Sequence, residues 1–122
     1  MPDPRTSLGN RGEELARRML VEKGYLILDT NYRCRWGEMD IIAQQGDQLV
    51  FVEVRTRSSA RYGTPEESIT EAKKRRLLAT AQDYLQSLED SGVGWRIDLV
   101  SVRMGSRSEA PRIDHLEHAV EQ

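Results

Sequence analysis

Gly37-Glu38-Met39-Asp40-Ile41-Ile42-Ala43-Gln44-Gln45-Gly46-Asp47-Gln48-Leu49-Val50-Phe51-Val52-Glu53-Val54-Arg55-Thr56 reads as a β-hairpin that carries a carboxylate in each strand. Glu38 to Gln45 and Gln48 to Thr56 are the strands, and glycine first in a two-residue connection suits the tight turn Gly46-Asp47. With that turn, directly paired positions sum to 93, as Asp40 and Glu53 do. Residues so paired have Cβ atoms about 4.5–5.5 Å apart. Met39, Ile41 and Ala43 with Val50, Val52 and Val54 make the opposite face apolar, which fixes the register, since a one-residue slip would turn that set outward. Like charges directly opposite destabilise a sheet unless something compensates, and a divalent cation with oxygen ligands does so. Two plainer readings stand beside it. One carboxyl is protonated, or each pairs with an arginine; Glu38 and Arg55 also sum to 93.

Outward from the hairpin, Leu8 to Lys23 has helical spacing, with Leu8, Gly12, Leu15, Ala16, Met19 and Leu20 on one face and Gly24 as the stop. Tyr25 to Tyr32 reads as a strand. A long helix is expected from Thr70 to Glu89, with Leu77, Ala81, Tyr84, Leu85 and Leu88 as its apolar stripe and Ser91-Gly92 as its end. Trp95 to Val102 reads as a further strand, and Arg112 to Val120 as an edge strand or a short helix. The order α-β-β-β-α-β is that of an α/β domain, a mixed sheet flanked by helices. At 122 residues the chain is expected to be one domain, with 1–7 and 104–111 as flexible edges.

Composition narrows the function. Leu49-Val50-Phe51-Val52 is the longest strongly apolar run, far too short to span a bilayer. The polar start Met1-Pro2-Asp3-Pro4-Arg5-Thr6 lacks the apolar core of a secretion signal, and the lone Cys34 can form no internal disulfide. A cytoplasmic location is the expectation. A net charge of −2 argues against indiscriminate coating of nucleic acid. From Arg55 to Arg76, however, seven basic residues face three acidic ones, and screening within about 10 Å lets a local patch act despite the global sign.

Glu13 in the first helix, Gly37-Glu38-Met39-Asp40-Ile41-Ile42, and Phe51-Val52-Glu53-Val54-Arg55-Thr56-Arg57 together resemble the D…E-x-K signature of restriction-endonuclease-like nucleases. Spacing and context are most similar to the YraN-like family of small bacterial proteins, similar in fold to archaeal-type Holliday-junction resolvases. The resemblance extends through Asn31, Arg33, Tyr62-Gly63, Thr70, Lys73, Ala81, Tyr84-Leu85 and Arg96-Ile97-Asp98. It implies a restriction-endonuclease-like αβββαβ core. It implies Asp40 and Glu53 as ligands of Mg²⁺ or Mn²⁺, the Val54 carbonyl as a helper, and Glu13 as the first-helix acid of resolvase-like members. Position 55 departs from the pattern: the superfamily's lysine, which assists the attacking water, is replaced by Arg55. Arginine binds phosphate but cannot serve as a base. Lys73 is a candidate substitute, provided the start of the second helix reaches the site.

Other residues invite weaker readings. Glu13 lies on the flank of its helix and can either reach a cleft or pair with Arg17. Lys73 and Lys74 project toward the side that becomes apolar, while Arg75 and Arg76 face water; the run is either a solvated face or a phosphate contact. Asp98 is expected to orient Arg96, Trp36 to cap the core rather than stack on a base, and His115 and His118 to be bystanders in an acidic tail. Cys34 reads as a strand residue. The function expected is a metal-dependent nuclease acting on DNA, branched or single-stranded, with Arg55, Lys73 and Lys74 on phosphates. The alternative is a non-catalytic nucleic-acid-binding module. A homodimer is left open, since a two-site cut across a junction would require one.

Overall fold

Gly46 takes the left-handed φ of 60° at the hairpin tip, and the strands run back in the expected register: Gln45 opposite Gln48, Ala43 opposite Val50, Ile41 opposite Val52. The structure, a computed structural model, describes residues 4–57, 69–88, 92–105 and 109–121, with side chains from Gly9 onward. The elements are α1 (Pro4–Glu22), β1 (Leu26–Cys34), β2 (Gly37–Gln45), β3 (Gln48–Arg57), α2 (Glu71–Gln86), β4 (Gly94–Arg103) and β5 (Arg112–Val120). They form one five-stranded sheet in the order β1-β2-β3-β4-β5. Only β3 and β4 are parallel, so a crossover must join them, and α2 lies within it.

The two helices divide the core between them. Ala16 and Leu20 of α1 pack on Ile41, Ala43, Val50, Val52, Val100 and Val102. Leu77 and Ala81 of α2 pack on Met39, Ile42, Phe51, Ile97 and Leu99 across the other face. At Gly12, α1 comes so close to β3 that an added Cβ would sit 1.8 Å from Thr56 Oγ1. Thr70 caps α2, its Oγ1 accepting from the Lys73 N–H at 3.1 Å, which fixes the helix's first turn.

Some expectations need correction. α1 begins at Pro4 rather than Leu8, so the edge read as flexible is helical from Pro4, and a proline in the first turn costs no hydrogen bond. α2 closes at Gln86, before the expected Glu89. Arg112–Val120 is a strand, paired antiparallel with β4. Met39 does not share a face with Ile41 but lies in the α2-side core. By Met39, β2 has lost its ladder to β3, and Asn31 on neighbouring β1 is left-handed at φ 54°, so the strand turns over near Asp40. Arg61, Tyr62-Gly63 and Ser91 lie outside the described residues.

Candidate functional site

Beyond Ile41 and Val52 the central hairpin opens. The β2–β3 ladder ends there, while β2 continues beside β1 to Gly37 and β3 continues beside β4 to Arg57. Asp40 stands at the mouth of this split, and its Oδ2 accepts the Val54 N–H at 2.7 Å, replacing the ladder bond that β2 no longer supplies. A strand residue directs its N–H and C=O to the same neighbour. The Val54 carbonyl therefore opens on the same gap.

Asp40 and Glu53 do meet, within hydrogen-bonding reach of one another. They meet in the split rather than flat on one sheet face. Each is also approached by a different helix. Glu13 of α1 comes close enough to Asp40 and Asn31 for their side chains to act on its carboxyl, and the close passage of α1 at Gly12 puts it there. Lys73 of α2 reaches the buried Glu53, Nζ to Oε2, at 3.0 Å. The split is thus flanked by carboxylates from α1, β2 and β3 and by one ammonium from α2. On the α1 side it opens into a cavity of about 180 Å³ whose lining includes Asn10, Glu13, Asn31 and Asp40.

The charges are crowded. Burial, then the hydrogen bond and repulsion from Glu53, push the Asp40 carboxyl up to about 8, against the Val54 N–H that favours its ionised form. Burial and repulsion from Glu38 likewise raise the Glu13 carboxyl, against its hydrogen bonds with Asn31 and Asp40. Carboxyls in mutual hydrogen-bond contact need either a shared proton or a cation between them.

A profile described as Uncharacterised protein family UPF0102 matches residues 12–102, three quarters of the chain and the whole of this constellation. The chain belongs to UPF0102. It is 44% identical over 123 residues to a UPF0102 protein of Roseiflexus castenholzii, covering 100% of this chain and 99% of that one. It is 44% identical to one of Pelotomaculum thermopropionicum (98% and 99% covered) and 45% identical to one of Rhodococcus jostii (93% and 95% covered).

Within this UPF0102 fold the remaining candidates separate. Glu13 is not spent on Arg17, which is held by Glu14 at 2.6 Å. Glu38 meets Arg33 at 3.5 Å, and the register that would set it opposite Arg55 does not extend so far. Arg55 is half-buried on the strand of Glu53, beside Ser101 of β4. Lys74 pairs with Glu71 at 3.3 Å at the edge of the site. Trp36 is 45% exposed and does not cap the core. Asn31 escaped notice as a site residue, because its role rests on a left-handed bend rather than on a motif.

His115 is no bystander. Its buried ring hydrogen-bonds through Nε2 to Asp98 at 2.8 Å, and Lys23 Nζ lies 2.9 Å from Nδ1. Since the ammonium can only donate, Nδ1 accepts and Nε2 carries the proton toward Asp98. Asp98 does orient Arg96, as expected, at 2.9 Å, and Arg96 continues to the Tyr25 hydroxyl and to Glu117. This network stands apart from the split and ties the end of α1 to β4 and β5. Among the described residues no helix is long and apolar enough to cross a membrane.

Proposed function

We propose that this UPF0102 protein is a divalent-metal-dependent nuclease that hydrolyses phosphodiester bonds in DNA at the split between β2 and β3. The observation that carries the reading is the meeting of Asp40 and Glu53 where the sheet parts, beside Val54, whose N–H is held by Asp40 and whose carbonyl is directed to the same gap. These are hard oxygen donors, the kind Mg²⁺ and Mn²⁺ take. Among the described residues no three His, Cys, Asp or Glu side chains are arranged to hold a metal ion by themselves. Mg²⁺ commonly takes one or two carboxylates and completes its shell with water and substrate phosphate. Asp40, Glu53 and the Val54 carbonyl would hold the ion. The chemistry it supplies is a more acidic water and stabilisation of charge on the phosphate.

The chain's own groups then take distinct tasks. Lys73 stands against Glu53, in reach of a water or a phosphate oxygen there, and its ammonium can donate a hydrogen bond to either. Arg55, on the strand of Glu53, and Lys74, next to Lys73 on α2, neutralise phosphates. Glu13, oriented by Asn31, holds its carboxyl on Asp40 and so acts as a positioning residue. The presence of Arg55 where nucleases of this kind carry lysine favours the alternative of a binding module without chemistry. Lys73 answers it by bringing an ammonium to Glu53 from another element.

The test is incubation with labelled single-stranded, duplex and branched DNA, and with RNA, in Mn²⁺ or in chelator. Weak cutting that needs the metal and vanishes in Glu53→Gln is expected. Cutting that survives in Glu53→Gln would remove the site, and no cutting of any substrate would leave the binding module.

A further inference from the structure

An exposed aromatic shelf lies beside the split. Trp36 occupies the two-residue turn Arg35-Trp36 between β1 and β2, and 45% of its surface is open. The Arg35 guanidinium carbon sits 4.4 Å from the ring centroid. The ring also lines an open cavity of about 420 Å³ whose other walls are Ala72, Arg75, Arg76 and Ala79 of α2. The turn is seated firmly: a Cβ on Gly37 would meet Thr80 Oγ1 at 3.2 Å and the Arg76 Cβ at 4.0 Å. Arg75 and Arg76 are exposed, and neither has an ion-pair partner among the described residues. An apolar floor of tryptophan and alanine with guanidinium groups on its rim matches a nucleobase and its phosphates.

Position ties the shelf to the site. Lys73, which grips Glu53, and Arg76, which walls the shelf, are three residues apart on α2, so their Cβ atoms lie about 5–6 Å from each other. Trp36, in the turn before β2, and Asp40, in β2, are four residues apart, at most about 13 Å at the strand rise. A strand with a phosphate at the split would therefore pass the shelf with its neighbouring nucleotides. Base pairs inside a duplex are already stacked on both faces and cannot lie against Trp36, whereas an unpaired base can.

We propose that Trp36 is a stacking platform for an unpaired base, with Arg35, Arg75 and Arg76 on the adjoining phosphates, so that the substrate is DNA with a single-stranded segment at the site. This rests on the nuclease reading for its choice of ligand, but its test needs no cleavage. Wild type, Trp36→Phe and Trp36→Ala are titrated in chelator with a short oligothymidylate and with a duplex of equal length. In Trp36→Ala, affinity for the single strand should fall about tenfold or more, while duplex affinity changes less than about twofold. Oligothymidylate should quench the intrinsic fluorescence of wild type, and Trp36→Phe should bind nearly as well without that quenching. Melting temperatures equal to wild type verify that these surface variants are folded. Equal loss on both DNA forms, quenching that persists in Trp36→Phe and so belongs to Trp95, or no single-strand binding by wild type overturns the platform. Failure of the nuclease reading appears separately, as normal binding with no cutting when Mn²⁺ is added.

Discussion

Lys73 changes the meaning of Arg55. By sequence, Arg55 stands where a lysine would follow the glutamate, and its guanidinium cannot shed a proton. Lys73 was legible as a candidate substitute, but whether it arrives depends on where Thr70 starts the helix and on the angle at which α2 crosses β3. Its Nζ is 3.0 Å from a carboxylate that is 5% exposed. Lys73→Ala should slow metal-dependent cleavage about a hundredfold, within the range of lost general acid–base help. Arg55→Lys on that background should recover part of the rate, and Arg55→Lys alone should match or exceed wild type. Single-turnover rates on one cleaved substrate decide it. Wild-type rates in Lys73→Ala would assign Lys73 to the charge balance of Glu53 and nothing more.

Among the elements, α1 and the hairpin make the clearest case. The hairpin register was readable because Gly46 can take a left-handed φ and because apolar alternation penalises a slip. The split was not readable, since it depends on β2 following β1 and β3 following β4, which is a matter of sheet topology. Met39 was misassigned for the same reason, with the left-handed Asn31 adding a turn-over that period-two patterning cannot register. Glu13 reaches Asp40 because Gly12 lets α1 settle onto Thr56. Gly12→Ala should cost about 1–3 kcal/mol of stability through overpacking and should lower activity by shifting Glu13. Adding Thr56→Ala should recover part of that stability, because it removes the contacts with Oγ1 and Cγ2 and leaves the one with the Thr56 Cβ at 2.9 Å. Urea unfolding of the two single variants and the double gives the coupling, and simply additive costs would contradict the contact.

At the scale of the whole molecule, two buried polar centres serve different ends. Asp98 is fully buried, and burial alone would raise its carboxyl. Hydrogen bonds from His115 and Arg96, the Arg96 charge and the His118 N–H outweigh that and hold it below its usual value. A depressed folded value stabilises the protein above the unfolded value of about 3.9, and the stabilisation is lost as pH falls through the folded value. The contribution of Asp98 should therefore hold steady above about pH 4 and be lost below it, whereas the raised Asp40 carboxyl costs stability as pH climbs from there toward about 8. Asp98→Asn should cost about 3–5 kcal/mol at neutral pH, because it leaves Arg96 and His115 facing a neutral partner, and should flatten the acid decline. An unchanged acid limb in that variant would remove Asp98 as its cause. Arg96 and Asp98 could be paired from their alternation on one strand, but His115 arrives from β5, beyond the reach of any local pattern. The split is the other centre, where the carboxyls of Glu13, Asp40 and Glu53 crowd together and Lys73 pairs with Glu53. Whether it holds a divalent ion can be measured without knowing the substrate, by the melting temperature with and without Mn²⁺. A ligand that binds only the folded chain stabilises it, so Mn²⁺ should raise the melting temperature of wild type and leave the Asp40→Asn, Glu53→Gln double variant unmoved. An equal rise in both would place the metal elsewhere, and no rise in wild type would contradict the site.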